Sequence, residues 1–487
     1  MPNIPLKNGL FCNRTTNLRS IAAIGYDMDY TLIHYDVDAW EERAYTYLKE
    51  GLKSLGWPVD HLRFEPELAM QGLIIDLEEG NVLKANRFGY VRRAFHGTQP
   101  LKFEDQRETY RGVLINLSES RWKFMNTQFS LSEICMYMQL VELLDEGKLP
   151  PSIGYEHLYR WTRKVLDEAH LEGLLKQEII TNPDRFVELD EKMPLALLDQ
   201  KESGKKVLLI TNSEWSYAKP MMAYAFDQFL PGDMTWRDLF EYSIVGSRKP
   251  DFFSSKQPAF EIVDDSGLLR VHNGPLQPGG MYVGANASLI EQSLGLPGEK
   301  ILYVGDHIYS DVRASKNLHR WRTALIMREL EDEIDALRDF ETKQADLSLK
   351  MARKEEMESE YSALRLNQQR KRKGYGPQTE NSAKEIDQMM INLKKDIVAL
   401  DETIAPLAAA ATSLSNPNWG LLLQAGNEKS HFARQVERSA DIYTSRVSNF
   451  LSYTPFVYLR SFRGSLPHNP IDISDYNGLI RTPNAVG

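Results

Sequence analysis

Cysteine is nearly absent from this chain of 487 residues, because only Cys12 and Cys135 occur. They are far apart and lack the spacing of metal ligands. A disulfide framework or a zinc site needs several closely spaced cysteines, so neither is expected. Free thiols fit a reducing compartment, and we expect the protein in the cytoplasm.

Long apolar runs and an excess of positive charge are also lacking. No stretch approaches the roughly 18 apolar residues that a membrane span needs, and the residues after Met1 do not form a charged segment followed by an apolar one. The formal net charge of -10 argues against a surface built to neutralise nucleic-acid or membrane phosphates. We therefore expect no nucleic-acid partner and no membrane partner, and any bound phosphate should belong to a small molecule.

The composition is that of a folded, soluble protein. Hydrophobic residues make up 42% of the chain and charged residues 26%, which is too apolar for a disordered protein. A chain of 487 residues is longer than one hydrophobic core usually fills. We therefore expect more than one domain, or one domain enlarged by insertions.

Three short apolar segments each end in a group of small, polar and acidic residues. They cover residues 21–26, 207–210 and 301–304, and are followed by Asp27, Thr211 and Gly305-Asp306. Such continuous apolar runs predict buried strands of a parallel sheet. Because ligands bind beyond the carboxyl ends of parallel strands, the three polar groups are predicted to converge on one site. The fold class is predicted to be α/β.

The first and second of these strands are separated by far more sequence than one crossover helix requires. Residues 36–199 are therefore predicted to form a second, inserted region, with the core in residues 1–35, 200–326 and 410–487. Within the insertion, residues 154–180 have a helical rhythm. Arg163, Asp167 and His170 stand four and three residues apart and should share one helix face.

A second insertion is predicted at residues 327–409, where the composition shifts to Glu, Lys, Asp, Leu, Met and Ala. Apolar residues spaced 4-3-4-3-4 form the seam of a coiled coil there: Ile386, Met390, Leu393, Ile397, Leu400 and Ile404. The segment 371–377 would turn the chain, giving a helical hairpin. The hairpin is either a packing arm against the parent domain or an oligomerisation arm, and we expect a homo-oligomer. The later segment 432–458 is predicted to be helical and to pack on the core.

The Asp27-Met28-Asp29 sequence offers two carboxylates at a predicted strand end. Alternate side chains of a strand point the same way, so both can face one substrate, although such a pair alone is more often a turn or a helix cap. Phosphoryl transfer to a carboxylate needs a nucleophile in line with the leaving oxygen, an acid that protonates this oxygen, and neutralising cations. Asp27 suits the first role and Asp29 the second.

Three further clusters supply the remaining groups. Thr211-Asn212-Ser213 offers hydroxyl and backbone donors to a phosphate, and Lys249 offers a fixed positive charge. Asp306 and Asp311 follow the third strand and suit a hard cation such as Mg²⁺. Alone, the first cluster is more often a helix N-cap and the lysine more often a solvated side chain, so the prediction depends on the combination.

In this order the four clusters resemble the haloacid dehalogenase (HAD) superfamily of phosphatases. The resemblance implies a Rossmann-like core, an aspartyl-phosphate on Asp27, and acid and then base catalysis by Asp29. It implies Mg²⁺ as the cofactor. The implied ligands of the metal are Asp27, the Asp29 carbonyl and Asp306, with Asp311 supporting them, and the implied phosphate ligands are Thr211 and Lys249.

The stretches 25–32, 211–213, 248–250 and 303–308 resemble the cytosolic purine 5'-nucleotidases specific for IMP and GMP, and the similarity runs from about residue 10 to 465. It implies a largely helical cap between the first and second motifs that binds the nucleoside. Phe129 corresponds to the aromatic residue that stacks on the base. The polar nucleoside-binding residues correspond to Arg163, Asp167, His170 and Lys176, with Asn212 and Ser213 also at the substrate. A 6-oxopurine offers acceptors to Arg or His and an N1–H donor to Asp.

The chain departs from this family at several positions. Ser130 stands where Asn is typical, and Leu171 stands where Tyr is typical. A nucleotide effector is a further candidate partner, because the family's effector residues are reproduced in part: Asn126, Tyr309, Gln435 and Arg438 correspond, whereas Asn116 and Asn317 replace basic residues.

The leading hypothesis is hydrolysis of purine nucleoside 5'-monophosphates, with transfer of the phosphoryl group to a nucleoside as a side reaction. One alternative is a HAD phosphatase for another phosphate monoester. The other is a scaffold protein that keeps the fold without activity, and it is disfavoured because no site residue is missing from the sequence.

Overall fold

The computed structural model describes residues 4–171 and 173–461. Within these ranges the side chains of residues 169–171 and 174 lie outside the description, and so does the predicted role of the His170 side chain. The strands are β1 Phe11–Cys12, β2 Thr16–Asn17, β3 Ala23–Tyr26, β4 His34–Tyr35, β5 Ile74–Asp76, β6 Asn81–Ala85, β7 Val91–His96, β8 Gln99–Pro100, β9 Trp122–Phe124, β10 Val187–Glu188, β11 Lys206–Ile210, β12 Tyr242–Val245, β13 Ala259–Ile262, β14 Leu269–His272, β15 Gly280–Gly284, β16 Ile301–Gly305, β17 Arg322–Ile326, β18 Gln424–Ala425, β19 Glu428–Lys429, β20 Ile442–Thr444 and β21 Tyr458–Leu459.

The α-helices are α1 Val37–Ser54, α2 Phe103–Tyr110, α3 Leu131–Asp145, α4 Tyr155–Leu171, α5 Leu174–Thr181, α6 Pro183–Phe186, α7 Lys192–Glu202, α8 Trp215–Phe226, α9 Asp251–Ser254, α10 Ala287–Leu294, α11 Ala314–His319, α12 Leu330–Lys373, α13 Ala383–Thr412 and α14 His431–Ser439. Among the residues described, no helix is both long enough and apolar enough to cross a bilayer.

The chain divides into two compact units, one of residues 1–331 and 422–487 and the other of residues 332–421.

A ten-stranded sheet forms the core of the first unit, in the order β1-β20-β17-β16-β3-β11-β12-β15-β13-β14. The seven strands from β20 to β15 run parallel, and the pairs at both edges are antiparallel. The central parallel strands are almost continuously apolar and buried, as expected of strands covered on both faces. The predicted α/β class with a parallel core sheet is confirmed.

The order of the strands reverses at β3. The chain proceeds from β3 through β11, β12 and β15 on one side, and then returns to β16, β17 and β20 on the other. Connections that diverge in this way leave a crevice beyond the carboxyl ends of the central strands, where ligands bind in open α/β sheets. The segments that follow β3, β11 and β16 therefore face one crevice.

The region between β4 and β10 combines helices with a second sheet. Helices α1, α3 and α4 pack against one another. The second sheet is antiparallel, with the order β8-β7-β6-β5-β9. The helical rhythm predicted over residues 154–180 corresponds to two helices, α4 and α5, because Gly173 between them adopts a positive φ of 67°.

The second unit consists mainly of α12 and α13. Helix α13 begins with a capping box in which Ser382 and Glu385 satisfy each other's backbone donors. Among its apolar residues, Ile386 and Ile404 are buried, and the four between them at the predicted spacing are half-buried. An ion pair of 2.6 Å between Lys354 and Asp401 joins the two helices.

The helix predicted over residues 432–458 is wrong for most of this segment. Helix α14 ends at Ser439, and residues 442–444 then form β20, which pairs in parallel with β17. Ile442, Tyr443 and Thr444 are β-branched or aromatic, which favours a strand when a sheet edge is available.

Candidate active site

Asp27 directly follows β3 and begins a tight turn. Its backbone N–H donates to the carbonyl of Val304 at 2.9 Å, which keeps it in line with the sheet. The N–H groups of Thr31, Leu32 and Ile33 all donate to the carbonyl of Met28, so the chain folds back on itself. Because β3 ends at Tyr26, it is this turn, and not strand alternation, that orients Asp27 and Asp29.

Lys249 lies at the centre of the buried charges. Its Nζ is 2.8 Å from Asp27 Oδ1 and 2.8 Å from Asp311 Oδ1, and it donates to Tyr303 Oη at 2.9 Å. The lysine side chain is 1% exposed and that of Asp27 is 14% exposed. Tyr303 Oη donates in turn to the carbonyl of Ile210 at 2.8 Å. The ammonium is thus held by residues in or shortly after β3 and β16 and is not a solvated surface charge.

Asp306 and Asp311 come from the segment after β16. Asp311 lies in a π-helical turn, Ile308–Arg313, and its Oδ2 accepts from the backbone N–H of His307 at 3.1 Å. Both carboxylates are buried. Gly305 leaves the room for this approach, because a Cβ atom there would stand 2.5 Å from Asp311 Oδ2.

The charges in this cluster shift one another's proton affinity. Burial raises the pKa of Asp27 to about 7, an effect that Lys249 opposes and Asp311 reinforces. Burial, followed by the charges of Asp311 and Asp27, raises the pKa of Asp306 well above its usual range. Burial would lower the pKa of Lys249, but Asp27 and Asp311 raise it well above the ordinary value. The lysine is therefore charged, and the carboxyl groups disfavour one another's ionisation.

This cluster fits a divalent cation. Asp27, Asp306 and Asp311 each offer an oxygen, and these oxygens lie within 4.8 Å of one another. Three carboxyl groups crowd around one ammonium, and oxygen donors of this kind suit Mg²⁺. The Asp29 side chain is not part of this cluster. This agrees with the family resemblance, which implies that the backbone carbonyl of Asp29, and not its carboxylate, binds the metal.

Asn212 positions the lysine loop. Its Oδ1 accepts from the Lys249 N–H at 2.6 Å and from Ser247 Oγ at 2.9 Å, and its Nδ2 donates to the Lys249 carbonyl at 3.1 Å. The neighbouring Thr211 is buried, and its Oγ1 accepts from the Ser213 N–H at 3.1 Å. The side chain of Asn212 thus fixes Lys249, a role that the sequence analysis did not assign to it.

The Asp29 carboxylate is held by two hydroxyl groups. Tyr35 Oη donates to Asp29 Oδ1 at 2.5 Å, and Ser213 Oγ donates to Asp29 Oδ2 at 2.5 Å. Lys176, from helix α5 of the inserted region, donates to Ser213 Oγ at 2.9 Å and lies over the ring of Tyr217. The structure therefore brings Lys176, Ser213 and Asp29 together, as a bridge between the insertion and the core.

Arg163 and Asp167 form a pair on α4. The guanidinium donates to both oxygens of Asp167 and also to Glu133 Oε2, at 3.1 Å. Glu133 is fully buried, and burial raises its pKa although Arg163 opposes the shift. A cavity of about 650 Å³ opens beside this pair and is also lined by Lys123 and Tyr159.

Phe129 does not line that cavity and packs in an aromatic cluster. Its ring centroid is 4.7 Å from that of Tyr30 and 5.3 Å from that of Trp40, both in edge-to-face geometry. The ring is half-buried. Trp40 also contacts Tyr35, at 4.6 Å between centroids, so the cluster extends from Phe129 to the hydroxyl that contacts Asp29.

Tyr35, Tyr217 and Tyr303 were not identified from the sequence. Each lies in or beside a strand or on a helix, where a tyrosine is usually a core residue with one hydrogen-bonding end. No local pattern distinguishes a tyrosine that contacts a carboxylate of the candidate site from one that does not. The only available signal is the short distance of Tyr35 from Asp29 along the chain.

Known proteins resemble this chain in sequence. The model of the 5' nucleotidase family matches residues 10–471. A 5'-nucleotidase domain-containing protein of Dictyostelium discoideum is 26% identical over 470 residues, which cover 94% of this chain and 74% of that protein.

Solved structures align more loosely. A "predicted phosphoglycolate phosphatase" from Haemophilus somnus aligns with a TM-score of 0.27 and 13% identity, covering 63% of this chain and 86% of the other. CbbY from Rhodobacter sphaeroides, in complex with xylulose-(1,5)-bisphosphate, aligns with a TM-score of 0.23, 14% identity and the same two coverages. TM-scores this low transfer no residue role. The family match, in contrast, spans nearly the whole chain, so the chain belongs to the 5' nucleotidase family and is an enzyme of the phosphatase class.

Proposed function

We propose that this enzyme is a Mg²⁺-dependent 5'-nucleotidase that hydrolyses purine nucleoside 5'-monophosphates of the IMP and GMP type through an aspartyl-phosphate on Asp27. The observation that carries the proposal is the position of Asp27. It stands immediately after β3, where the strand order reverses, 2.8 Å from Lys249 and beside Asp306 and Asp311. A carboxylate so placed can attack a phosphorus atom whose charge the neighbouring groups neutralise.

The reaction has two steps. Asp27 attacks the phosphorus, the bond from phosphorus to O5' breaks, and Asp29 gives its proton to O5', so that the nucleoside leaves as an alcohol. Water then attacks the phosphorus of the aspartyl-phosphate, Asp29 takes a proton from this water, and the bond to Asp27 breaks to release phosphate. Mg²⁺, when bound to Asp27, Asp306 and the Asp29 carbonyl, supplies positive charge to the phosphoryl oxygens.

Lys249 and Thr211 are proposed to hold the phosphoryl group. The Lys249 ammonium is already fixed by Tyr303 and Asp311, so it does not have to reorganise as charge develops on the phosphoryl oxygens. Thr211 lies directly after β11, so its hydroxyl stands at the carboxyl end of this strand. Ser213 and Lys176 border the same crevice through their contacts to Asp29 and to each other.

The base specificity is proposed to reside in the inserted region. The Arg163 guanidinium uses three of its five N–H donors on Asp167 and Glu133, which leaves donors for the acceptor oxygen and N7 of a 6-oxopurine. Asp167 accepts from Arg163 and keeps further lone pairs for an N1–H donor. The adjacent cavity of about 650 Å³ has the size of a small-molecule site. Phe129 lies outside this cavity, and its proposed stacking on the base rests on the family resemblance.

Transfer of the phosphoryl group to a nucleoside is the second proposed reaction. It needs only an acceptor hydroxyl that competes with water for the aspartyl-phosphate. A nucleoside held at the site just vacated by the product would place its O5' there. Incubation of the enzyme with IMP and labelled guanosine would then yield labelled GMP, and no labelled GMP at any acceptor concentration would contradict the transfer.

A panel of phosphate esters tests the substrate assignment. Phosphate release is measured for IMP, GMP, AMP, CMP, UMP and ribose 5-phosphate, with Mg²⁺ or with a chelator, and with or without ATP. The proposal expects release from IMP and GMP above the other esters, and none with the chelator. If IMP and GMP are inert while another ester is hydrolysed well, the enzyme is a phosphatase for that ester, and if all are inert the protein is a scaffold.

The variant Phe129→Ala tests the base contact separately from the phosphate chemistry. Loss of a stacking ring costs about 1–3 kcal/mol, so KM for IMP should rise by about fivefold to a hundredfold. Ribose 5-phosphate is the matched substrate, because it lacks the base and its kcat/KM should be unchanged. Equal losses for both substrates would show that Phe129 supports the fold and not the base.

A further inference from the structure

We propose that Tyr35 and Tyr217 are positioning residues that orient the carboxyl group of Asp29 for its exchange of protons with the ester oxygen and with water. This inference rests on the proposed function, because it assigns a purpose to Asp29 that only a phosphatase mechanism requires. The Tyr35 hydroxyl contacts Asp29 and the Tyr217 hydroxyl contacts Tyr35, and neither is among the proposed metal or phosphate ligands.

The direction of the hydrogen bonds follows from the number of protons. The Tyr35 hydroxyl donates its one proton to Asp29 Oδ1 at 2.5 Å. The Tyr217 hydroxyl lies 3.0 Å from the Tyr35 oxygen, so in this pair Tyr217 is the donor and Tyr35 the acceptor. Both tyrosines are buried. The pair therefore forms a fixed chain that ends on one oxygen of the carboxyl group.

The second oxygen of Asp29 is held by a matching chain. Ser213 Oγ donates to Asp29 Oδ2 at 2.5 Å and accepts from Lys176 at 2.9 Å. The Lys176 ammonium also lies 4.6 Å from the centre of the Tyr217 ring, so it contacts a member of each chain. With one hydroxyl on each oxygen, the carboxyl plane is fixed and each oxygen keeps a lone pair for the transferred proton.

The rings that carry this pair cannot turn away easily. The Tyr35 ring packs against Trp40, at 4.6 Å between centroids, and against Tyr30, at 5.2 Å. Tyr217 is fixed on helix α8, which begins two residues after Ser213. Side chains locked by packing can hold an acid within about 0.5 Å of its productive position, which is the accuracy that a catalytic group requires.

The test compares two substrates that differ in one atom. Inosine 5'-monophosphate has an oxygen leaving group, which needs protonation. Its 5'-S-phosphorothiolate analogue has a sulfur leaving group, which departs without an acid. The value of kcat/KM covers the steps up to formation of the phosphoenzyme, and general acid catalysis supplies about 10²- to 10⁴-fold in such a step.

For Tyr35→Phe we expect kcat/KM with the oxygen ester to fall by about tenfold or more, while kcat/KM with the sulfur ester changes by less than about threefold. Tyr217→Phe keeps the contact between Tyr35 and Asp29, so the same selective loss should be smaller. Asp29→Asn should show the selective loss most strongly. The matched control is Tyr224→Phe, on the same helix α8, whose hydroxyl contacts Asp184; it should leave both substrates unaffected.

Several results would overturn the inference. Equal losses for both substrates in Tyr35→Phe would mean that the hydroxyl supports folding or binding, and unchanged values for both would mean that Asp29 is positioned without it. Thermal unfolding of each variant shows whether an equal loss comes from misfolding. If Tyr35→Phe misfolds, Tyr217→Phe tests the inference instead, because it leaves Asp29 fully hydrogen-bonded and should still show a selective loss with the oxygen ester. If the parent enzyme releases phosphate from neither substrate, the proposed function fails, which is a different result from equal losses.

Discussion

The substitution Gly305→Ala tests the packing of the carboxylate cluster. A Cβ atom on residue 305 would stand 2.5 Å from Asp311 Oδ2 and 2.7 Å from both Cβ and Cγ of Asp311. Ordinary contact begins at 3.4 Å, so the carboxylate must retreat by about 0.9 Å (3.4 - 2.5). The clash involves Cβ as well as the carboxylate, so rotation of the side chain does not relieve it.

A displacement of this size disturbs two contacts. The ion pair from Asp311 to Lys249 is 2.8 Å, and the hydrogen bond from the His307 N–H is 3.1 Å. Overpacking of a buried position costs about 1–3 kcal/mol of stability. Misplacement of a catalytic group by about 1 Å costs about a hundredfold in rate. We therefore expect Gly305→Ala to lower kcat/KM for IMP by about a hundredfold and to require more Mg²⁺ for half-maximal activity.

The assay measures phosphate release from IMP over a titration of Mg²⁺, with urea unfolding of the same preparations. The control is Gly112→Ala, because Gly112 is exposed and a Cβ there would meet no atom within 4 Å. The control should match the parent enzyme in both measurements. If Gly305→Ala kept the parental kcat/KM and the parental Mg²⁺ requirement, the placement of Asp311 would not matter and the account of the metal cluster would be refuted.

Two further predictions concern Glu41 and Asn212. Burial raises the pKa of Glu41 from 4.5 to about 7, although the hydrogen bond from the Ser132 N–H opposes this shift. The folded state therefore binds a proton that the unfolded state releases. The free energy of unfolding should fall as the pH rises from about 4.5 to about 7. Glu41→Gln should remove this loss, about 3 kcal/mol at most, in urea unfolding at pH 5 and pH 8, and an unaltered pH dependence would contradict it. Asn212→Ala removes three hydrogen bonds to Lys249 and Ser247 and should lower kcat for IMP by about tenfold or more. Asn212→Asp keeps both acceptor contacts, so its kcat should fall by less. Equal losses of kcat in the two variants would argue against a positioning role.

The convergence of the polar groups at one edge of the sheet could be predicted because it follows from the order of the strands. Asp27, Thr211 and Asp306 each come directly after an apolar run, and parallel strands bring their carboxyl ends to one edge of the sheet. Lys249 lies four residues after β12, a strand that the sequence analysis did not single out. The sequence analysis proposed it as a fixed positive charge, and its combination with the other clusters, not its position after a strand, distinguished it from a solvated lysine.

Other features depend on contacts that sequence spacing does not record. The antiparallel sheet of the inserted region includes β7, where Arg92 and Arg93 interrupt the apolar pattern. The buried Glu133 is paired by Arg163, 30 residues further along the chain. Tyr217 and Tyr35 meet across 182 residues. Partners at such separations are fixed by the tertiary fold, so the hydroxyl pair beneath Asp29 could not be predicted.

Trapping of the phosphoenzyme tests the central claim most directly. The enzyme is mixed with IMP labelled in its phosphate, quenched in acid during the first turnover, before the aspartyl-phosphate is hydrolysed, and digested to locate the label. We predict label on the peptide that contains Asp27, and no label there in Asp27→Asn. In Asp29→Asn the label should still appear on this peptide, but at a slower rate. Label on another residue, or phosphate release by Asp27→Asn at the parental rate, would contradict the assignment of Asp27 as the nucleophile.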